Sequence, residues 1–247
     1  MYKTCKDIKA DARQSMLGYY RVPICAAIAV GLITMLLNIP FNQMMSNGVY
    51  YGSIFRILIG IAGSLIVSLL SCLLDAGLCR IHLQIARRHT TNIRDVLYPF
   101  QNEPNRYLVF GALQIVLSLV CELPGMLLLA VASAWLTLES GSGMLLLLIG
   151  AAVLLAGIIV FIIIELSWSM TNYLFLDDSS LTCREAIRRS RYMMSGNKGR
   201  LFKLTLSFIG IALLGLLSFG IGLLWVAAYL RHSRVWFYLD LTDTSRR

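Results

Sequence analysis

Two glutamates, Glu122 and Glu165, are the side chains best placed to do chemistry, because each interrupts a long apolar run. Residues 107–138 carry no other charge than Glu122, and residues 140–176 none other than Glu165. Ionisable groups inside a membrane are costly and mark functional sites by default. At about 1.5 Å per residue, both lie about 20 Å along neighbouring helices. If the two carboxyls face each other, they could share a proton or bind a cation. Alternatively, either one lies in water at the membrane interface, because both apolar runs are longer than a single membrane crossing requires.

A second group of polar residues follows the second apolar run. Asp75, Cys79, His82 and His89 recur at i, i+4, i+7 and i+14, so they share one face of a helix. Cys79 and His82 are ligand types that metals use, but no third ligand stands near them. We therefore expect a polar interfacial face, with no metal and no cofactor.

Catalytic patterns are weak in this sequence. It has no H-E-x-x-H motif. Its histidines, His82, His89 and His232, all fall in or beside basic intervals, so a serine inside the membrane has no base. The six cysteines form no C-x-x-C pair. These patterns favour a protein that is not an enzyme.

The elements that hold these residues follow from composition. The 247 residues are 57% apolar and 14% charged, against about 45–50% and 25% in soluble domains, and the mean hydropathy is +0.72. A water-soluble globular protein is excluded. Because a crossing takes about 20 residues, the sequence predicts one all-α, polytopic membrane domain of about six transmembrane helices in three hairpins. The predicted spans lie near 22–39, 55–79, 107–136, 144–174, 203–219 and 221–239. Arg231 and Arg234 fall within the last span, which could instead be re-entrant or interfacial.

Basic residues give the orientation. Of the 22 lysines and arginines, only Arg56 falls on the opposite side from the others. The positive-inside rule therefore predicts that both termini are cytoplasmic. The net charge of +9 then reflects topology, and we expect no nucleic-acid partner.

The intervals between hairpins have the pattern of basic amphipathic helices at the membrane surface. Thr182 and Glu185 form a capping box at the start of one. Arg184, Arg188 and Arg191 share one face and are predicted to contact anionic lipid headgroups while the apolar face enters the headgroup layer. The alternative is a solvated basic helix.

A repeat is suggested by three similar basic segments. Residues 13–18 precede the first span, residues 191–196 precede the fifth, and residues 94–99 precede the third. Each unit would hold a basic amphipathic helix, a break at Gly or Pro, and a hairpin of two spans.

The C-terminal half carries a family resemblance. Residues 168–173, with Asp177, Glu185, Ser190-Arg191 and Gly196, resemble the central signature of a family, and residues 202–238 resemble the remainder of it. The sequence is similar to the bacterial integral-membrane family catalogued as domain of unknown function 975. The resemblance implies a multi-pass protein of the bacterial plasma membrane and brings no established activity or functional residue.

Two classes of function remain. The first is a non-enzymatic accessory or scaffold protein whose partners are membrane lipids and a membrane protein or a second copy of the chain. The second is a small ion- or proton-coupled transporter or channel that uses the intramembrane carboxylates Glu122 and Glu165.

Overall fold

The protein is helical throughout the residues described by the computed structural model, which are 3–137, 142–218 and 220–245. The helices are α1 (Cys5–Met16), α2 (Arg21–Tyr50), α3 (Ile54–Ala86), α4 (Tyr98–Gln101), α5 (Pro104–Thr137), α6 (Ser142–Trp168), α7 (Thr171–Asp177), α8 (Cys183–Met194), α9 (Lys198–Leu206), α10 (Ile209–Leu217) and α11 (Ile221–Ser245). A 3-10 turn, Ile93–Leu97, precedes α4. The predicted all-α membrane fold is confirmed.

Five segments of the described chain are long and apolar enough to cross a membrane: Arg21–Tyr50, Ile54–Ala86, Pro104–Trp135, Gly143–Asp177 and Lys198–Leu217. They include the first, second and fourth predicted spans, all but the last residue of the third, and most of the fifth, whose last residue, Phe219, lies outside the described residues.

The sixth predicted span, 221–239, differs from the structure. It lies within α11, which is not among the five candidate segments. The reason is that the second half of α11 packs in a protein core, where Val235, Phe237 and Tyr238 are at most 1% exposed. The apolar stretch of α11 before Arg231 is about 10 residues, or about 15 Å, so only the first half of α11 has the composition of a membrane span.

The fold consists of a compact core and of hairpins that protrude from it. We call the core the hub; it is the buried cluster formed where α1, α7, α8 and α9 pack against the ends of α3, α5 and α11. Beyond the hub, α2 with α3, α5 with α6 and α10 with α11 form three hairpins. Their surfaces are apolar and exposed, as at Leu148 and Leu155, which are 63% and 61% exposed.

Glycines allow the two helices of a hairpin to approach closely. A Cβ on Gly60 would lie 2.8 Å from the carbonyl oxygen of Phe41. A Cβ on Gly157 would overlap the carbonyl oxygen of Cys121. Such small residues let membrane helices pack backbone to backbone. The contacts of α2 with α3 reach Gly48, which is why α2 continues through Pro40 and past its predicted end at residue 39.

Three capping boxes open three similar units. Thr4 with Asp7 caps α1 and Thr182 with Glu185 caps α8, so the predicted box is present. Asn92 with Asp95 caps the 3-10 turn. The three caps stand 88 and 90 residues apart, and each box contains a cap, a basic residue and an acid at positions 1, 3 and 4.

Each short element is also followed, two residues after its last helical residue, by a left-handed residue before the next candidate membrane segment. These residues are Gly18 (φ +86°), Glu103 (φ +49°) and Gly196 (φ +78°). The fold therefore contains three units of short helix and hairpin, the arrangement that the sequence suggested. The middle unit is the divergent one, because a 3-10 turn and α4 replace its capped helix.

Charged side chains join the ends of the chain within the hub. Asp240 on α11 accepts from the Lys3 backbone N–H at 3.1 Å and pairs with Arg200 at 2.8 Å. Arg200 also donates to the Lys3 carbonyl oxygen at 2.7 Å. The hub thus holds the first and third units together through polar contacts as well as apolar packing.

Candidate functional site

A cavity of about 750 Å³ lies between the long helices, where the hub meets the hairpins. Helices α3, α5, α6, α7, α9 and α11 all contribute to its wall. The polar side chains that line it are Ser68, Ser71, Cys72, Asp75, Cys79, Gln114, Glu165, Ser169, Asn172, Tyr173, Thr205, Arg231 and Arg234. On α3 and α11 these residues recur at spacings of three and four, so each helix presents one continuous face to the cavity.

An ion pair crosses one side of the cavity. Arg231 Nη1 on α11 lies 2.8 Å from Asp75 Oδ1 on α3. The two side chains are 38% and 51% exposed, so solvent limits the stabilisation to at most about 1 kcal/mol. The pair therefore contributes mainly by fixing the Arg231 guanidinium at the cavity wall.

Glu165 is held by a neutral donor on the neighbouring helix. Gln114 Nε2 on α5 donates to Glu165 Oε1 at 3.0 Å and to Oε2 at 3.2 Å. The Gln114 amide oxygen in turn accepts from the Cys72 thiol on α3 at 3.8 Å. Three helices are thus linked by one polar chain whose end is a carboxylate.

The structure does not bring Glu122 and Glu165 together. Since α5 and α6 are antiparallel, Gln114 lies level with Glu165, whereas Cys121, the neighbour of Glu122, lies level with Gly157. Eight residues separate Gly157 from Glu165, which places Glu122 about 12 Å away along the helix axis. Glu122 makes no hydrogen bond or ion pair within the described part of the chain. The predicted facing pair of carboxyls is therefore absent.

Arg234 and Asn172 provide donors at the hub end of the same cavity. Within residues 3–137, 142–218 and 220–245, neither side chain forms a hydrogen bond or ion pair. Arg234 Nε, Asn172 Oδ1 and Trp168 Nε1 are buried polar atoms without a partner. Arg234 is thus a cavity cation that no described acid neutralises.

The predicted lipid-contacting arginines lie elsewhere, on α8. Arg184, Arg188 and Arg191 are exposed. The apolar face of α8 does not enter a headgroup layer as predicted, because it packs on the hub: Ala186 is fully buried and Ser190 Oγ donates to the Ser167 carbonyl oxygen at 2.8 Å. The arginines therefore occupy the opposite face of α8, directed away from the core.

The predicted polar face of α3 is divided among different surroundings. Asp75 and Cys79 line the cavity. His82 is buried in the hub with its ring 5.7 Å from that of His232, and His89 lines a separate surface cavity. In the part of the chain that the structure describes, no three His, Cys, Asp or Glu residues are grouped to bind a metal ion.

Gln114, Asn172, Arg231 and Arg234 are site residues that the sequence alone did not identify. A signal exists for the arginines, since they are the charges that interrupt the sixth predicted span. Gln114 is uncharged, and nothing in its apolar run distinguishes it from a packing residue.

Comparison with known proteins agrees with the sequence resemblance. The model of the family described as Protein of unknown function (DUF975) matches residues 1–245, so the chain belongs to this family. No curated protein and no solved structure matches the chain.

Proposed function

We propose that this family member is a non-enzymatic membrane protein that acts as an accessory or scaffold, holding lipids and membrane partners between its hairpins. The observation that carries the proposal is the contrast between the hub and the hairpins. In the most apolar 18 residues of Gly143–Asp177, only 6% are buried within the protein, and the corresponding value for Pro104–Trp135 is 11%. Apolar surfaces of this extent mark lipid or protein contacts.

The hub is the cytoplasmic side in this proposal. The argument is the positive-inside rule, since Arg56, near the start of α3, is the only basic residue predicted on the other side. Lipids of the inner leaflet are then the first partners within reach of the hub. A membrane-protein partner or a second copy of this chain is the second, and nucleic acid is not proposed.

The exposed arginines of α8 are proposed to contact anionic headgroups. Arg184, Arg188 and Arg191 each contribute about 1 kcal/mol where they reach a charged surface. Replacing all three with Gln in the full chain should weaken its partition to anionic vesicles over neutral ones, and added salt should reduce the difference. Unchanged anionic preference in the triple variant would contradict this contact.

The best-formed serine–histidine contact supports a role without catalysis. Ser15 Oγ lies 2.7 Å from His232 Nε2 and 2.9 Å from Trp236 Nε1, and it donates to the Asp11 carbonyl oxygen at 2.9 Å. The serine oxygen thus accepts from Trp236, and the Asp11 carbonyl oxygen competes with His232 Nε2 for the serine proton. His232 Nδ1 has no partner. A general base needs an acid that orients its second ring nitrogen, and no described acid does so here.

A transporter or channel is the second candidate, and Glu165 is the observation that favours it. Its carboxylate lines the cavity and is held only by the neutral donor Gln114, which leaves a negative charge available to a cation or proton. Glu122, about 12 Å further along the hairpin, would then be a second binding site for the cation or proton.

Flux measurements separate the two candidates. The purified full chain in proteoliposomes should show no proton or monovalent-cation flux above empty liposomes under an imposed gradient. Photo-crosslinkers at Leu155 and Leu213, which are 61% and 60% exposed on two hairpins, should form adducts with lipid or a membrane protein. Flux that Glu165→Gln abolishes would replace the scaffold with the transporter.

A further inference from the structure

We infer that the cavity is a binding site for one phospholipid with an anionic headgroup. Its phosphate lies against Arg234 and Arg231, with Asn172 as a further donor. One acyl chain lies along the apolar wall, which is formed by Ile115, Phe161 and Ile162. This inference rests on the proposed function and identifies the ligand of the site.

An unpaired guanidinium at the hub end favours an anion. Two guanidinium groups line the cavity; Asp75 pairs with only one of them, Arg231, and the other carboxylate, Glu165, accepts from Gln114 rather than from Arg234. Arg234 has no described acidic partner. Its planar donors suit phosphate oxygens, which accept two parallel hydrogen bonds from one guanidinium. The Asn172 amide adds a neutral donor on the adjacent wall.

The depth of these groups matches the headgroup layer. Glu165 lies 23 residues after Ser142, the first residue of α6, which is about 35 Å along the helix. The hydrocarbon core is about 30 Å thick, so Glu165 and the arginines nearer the hub lie at its edge. Ile162, one turn nearer the hairpin tip, begins the hydrocarbon region. On α6, the change from Glu165 to the apolar Phe161 and Ile162 therefore coincides with the change from headgroup to acyl chain.

An opening towards lipid accompanies the apolar wall. Ile162 lines the cavity and is also 41% exposed on the hairpin surface. A chain can thus enter sideways from the bilayer without passing through the hub. A free phosphate would use the arginines and leave the apolar wall without a ligand, which is why we assign a lipid.

Binding of phosphatidylglycerol to the full chain in mild detergent tests the inference. Native mass spectrometry counts bound lipids, and the rise in melting temperature with lipid concentration gives an affinity. We expect saturable one-to-one binding, with phosphatidylcholine weaker and inorganic phosphate without effect. Arg234→Gln should weaken binding about tenfold or more, because it removes a charge-assisted bond. Arg94→Gln is the matched control, since Arg94 is exposed on the 3-10 turn and does not line the cavity.

A second variant tests the apolar wall independently of charge and of any folding defect in Arg234→Gln. Ile162→Trp should fill the chain path and weaken binding, whereas Ile163→Trp, at a position 49% exposed and outside the cavity, should not. Equal loss in Arg234→Gln and Arg94→Gln, unchanged binding in Ile162→Trp, equal stabilisation by inorganic phosphate, or a second copy of the chain protecting the cavity would each overturn the lipid assignment. None of these outcomes decides whether the hairpins hold a partner, so the scaffold proposal is tested separately.

Discussion

Glu165→Gln and Glu122→Gln should have opposite effects on stability, although both remove one carboxylate from a long apolar helix. The difference arises from their partners. Glu165 accepts two hydrogen bonds from Gln114 Nε2 at 3.0 and 3.2 Å. Glu122 has no described partner and lies 15 residues before Thr137, the last residue of α5, which is about 22 Å along the helix from that end.

The expected sizes follow from these contacts. A hydrogen bond to a charged group contributes about 1.5–3 kcal/mol and a neutral one about 0.5–1.5 kcal/mol, so Glu165→Gln should cost about 1 kcal/mol. For a chain of this size that lowers the melting temperature by about 2–4 °C. Glu122→Gln should leave the melting temperature unchanged or raise it, because a neutral amide is less costly in lipid than a carboxylate.

Thermal unfolding in one detergent measures both variants, with Gln114→Leu as the partner change. Because Glu165 and Gln114 are in contact, the double variant Glu165→Gln, Gln114→Leu should show a coupling energy of about 1 kcal/mol, within the range for contacting residues. Glu122→Gln combined with Gln114→Leu should be additive. A larger loss of stability in Glu122→Gln than in Glu165→Gln would refute the contact between α5 and α6 from which these sizes are derived.

Three further predictions concern pH, topology and packing. Burial lowers the pKa of His232 to about 4, so the unfolded state binds more protons than the folded state between pH 6.5 and 4. Stability should therefore fall as pH falls through this window, by at most about 3 kcal/mol. The variant His232→Gln should flatten the pH profile of the melting temperature. A reporter cysteine at Asn47, in a chain without its native cysteines, should react with an impermeant reagent outside the cell, and one at Ser195 should not; the reverse result would invert the orientation. Gly157→Ala should destabilise the hairpin of α5 and α6 by about 1–3 kcal/mol through overpacking, whereas Gly31→Ala, with no atom within 4 Å of its new Cβ, should not; equal melting temperatures would refute the close approach.

Local signals in the sequence predicted the elements of this fold well. Apolar runs gave the long helices, because backbone groups in lipid must be satisfied within each segment. The box at Thr182 gave the start of α8, since a cap and an acid three residues later satisfy two free amides locally. Both signals depend only on residues close in the chain.

Contacts between distant residues could not be predicted in the same way. The pairing of Asp75 with Arg231 spans 156 residues, and it requires knowing that α3 and α11 are neighbours. The apolar face of α8 illustrates the same limit, because burial in a headgroup layer and burial in a protein core demand the same amphipathic pattern. The sixth predicted span was affected for this reason: apolar residues in the second half of α11 pack in the hub and do not face lipid.

The three-unit repeat explains why charges of both signs meet in one cavity. Asp75 lies 21 residues after the first residue of α3, and Glu165 lies 23 residues after the first residue of α6, so the second helices of two units present a carboxylate at equivalent depth. The corresponding helix of the third unit, α11, presents Arg231 and Arg234 instead. Where the three helices converge, one arginine pairs with Asp75, while the carboxylate of Glu165 is satisfied by Gln114 of its own hairpin. The two arginines and two carboxylates of the cavity balance in charge, but no described carboxylate forms an ion pair with Arg234. Its donors therefore face the cavity, where they can bind an anion supplied from outside the chain.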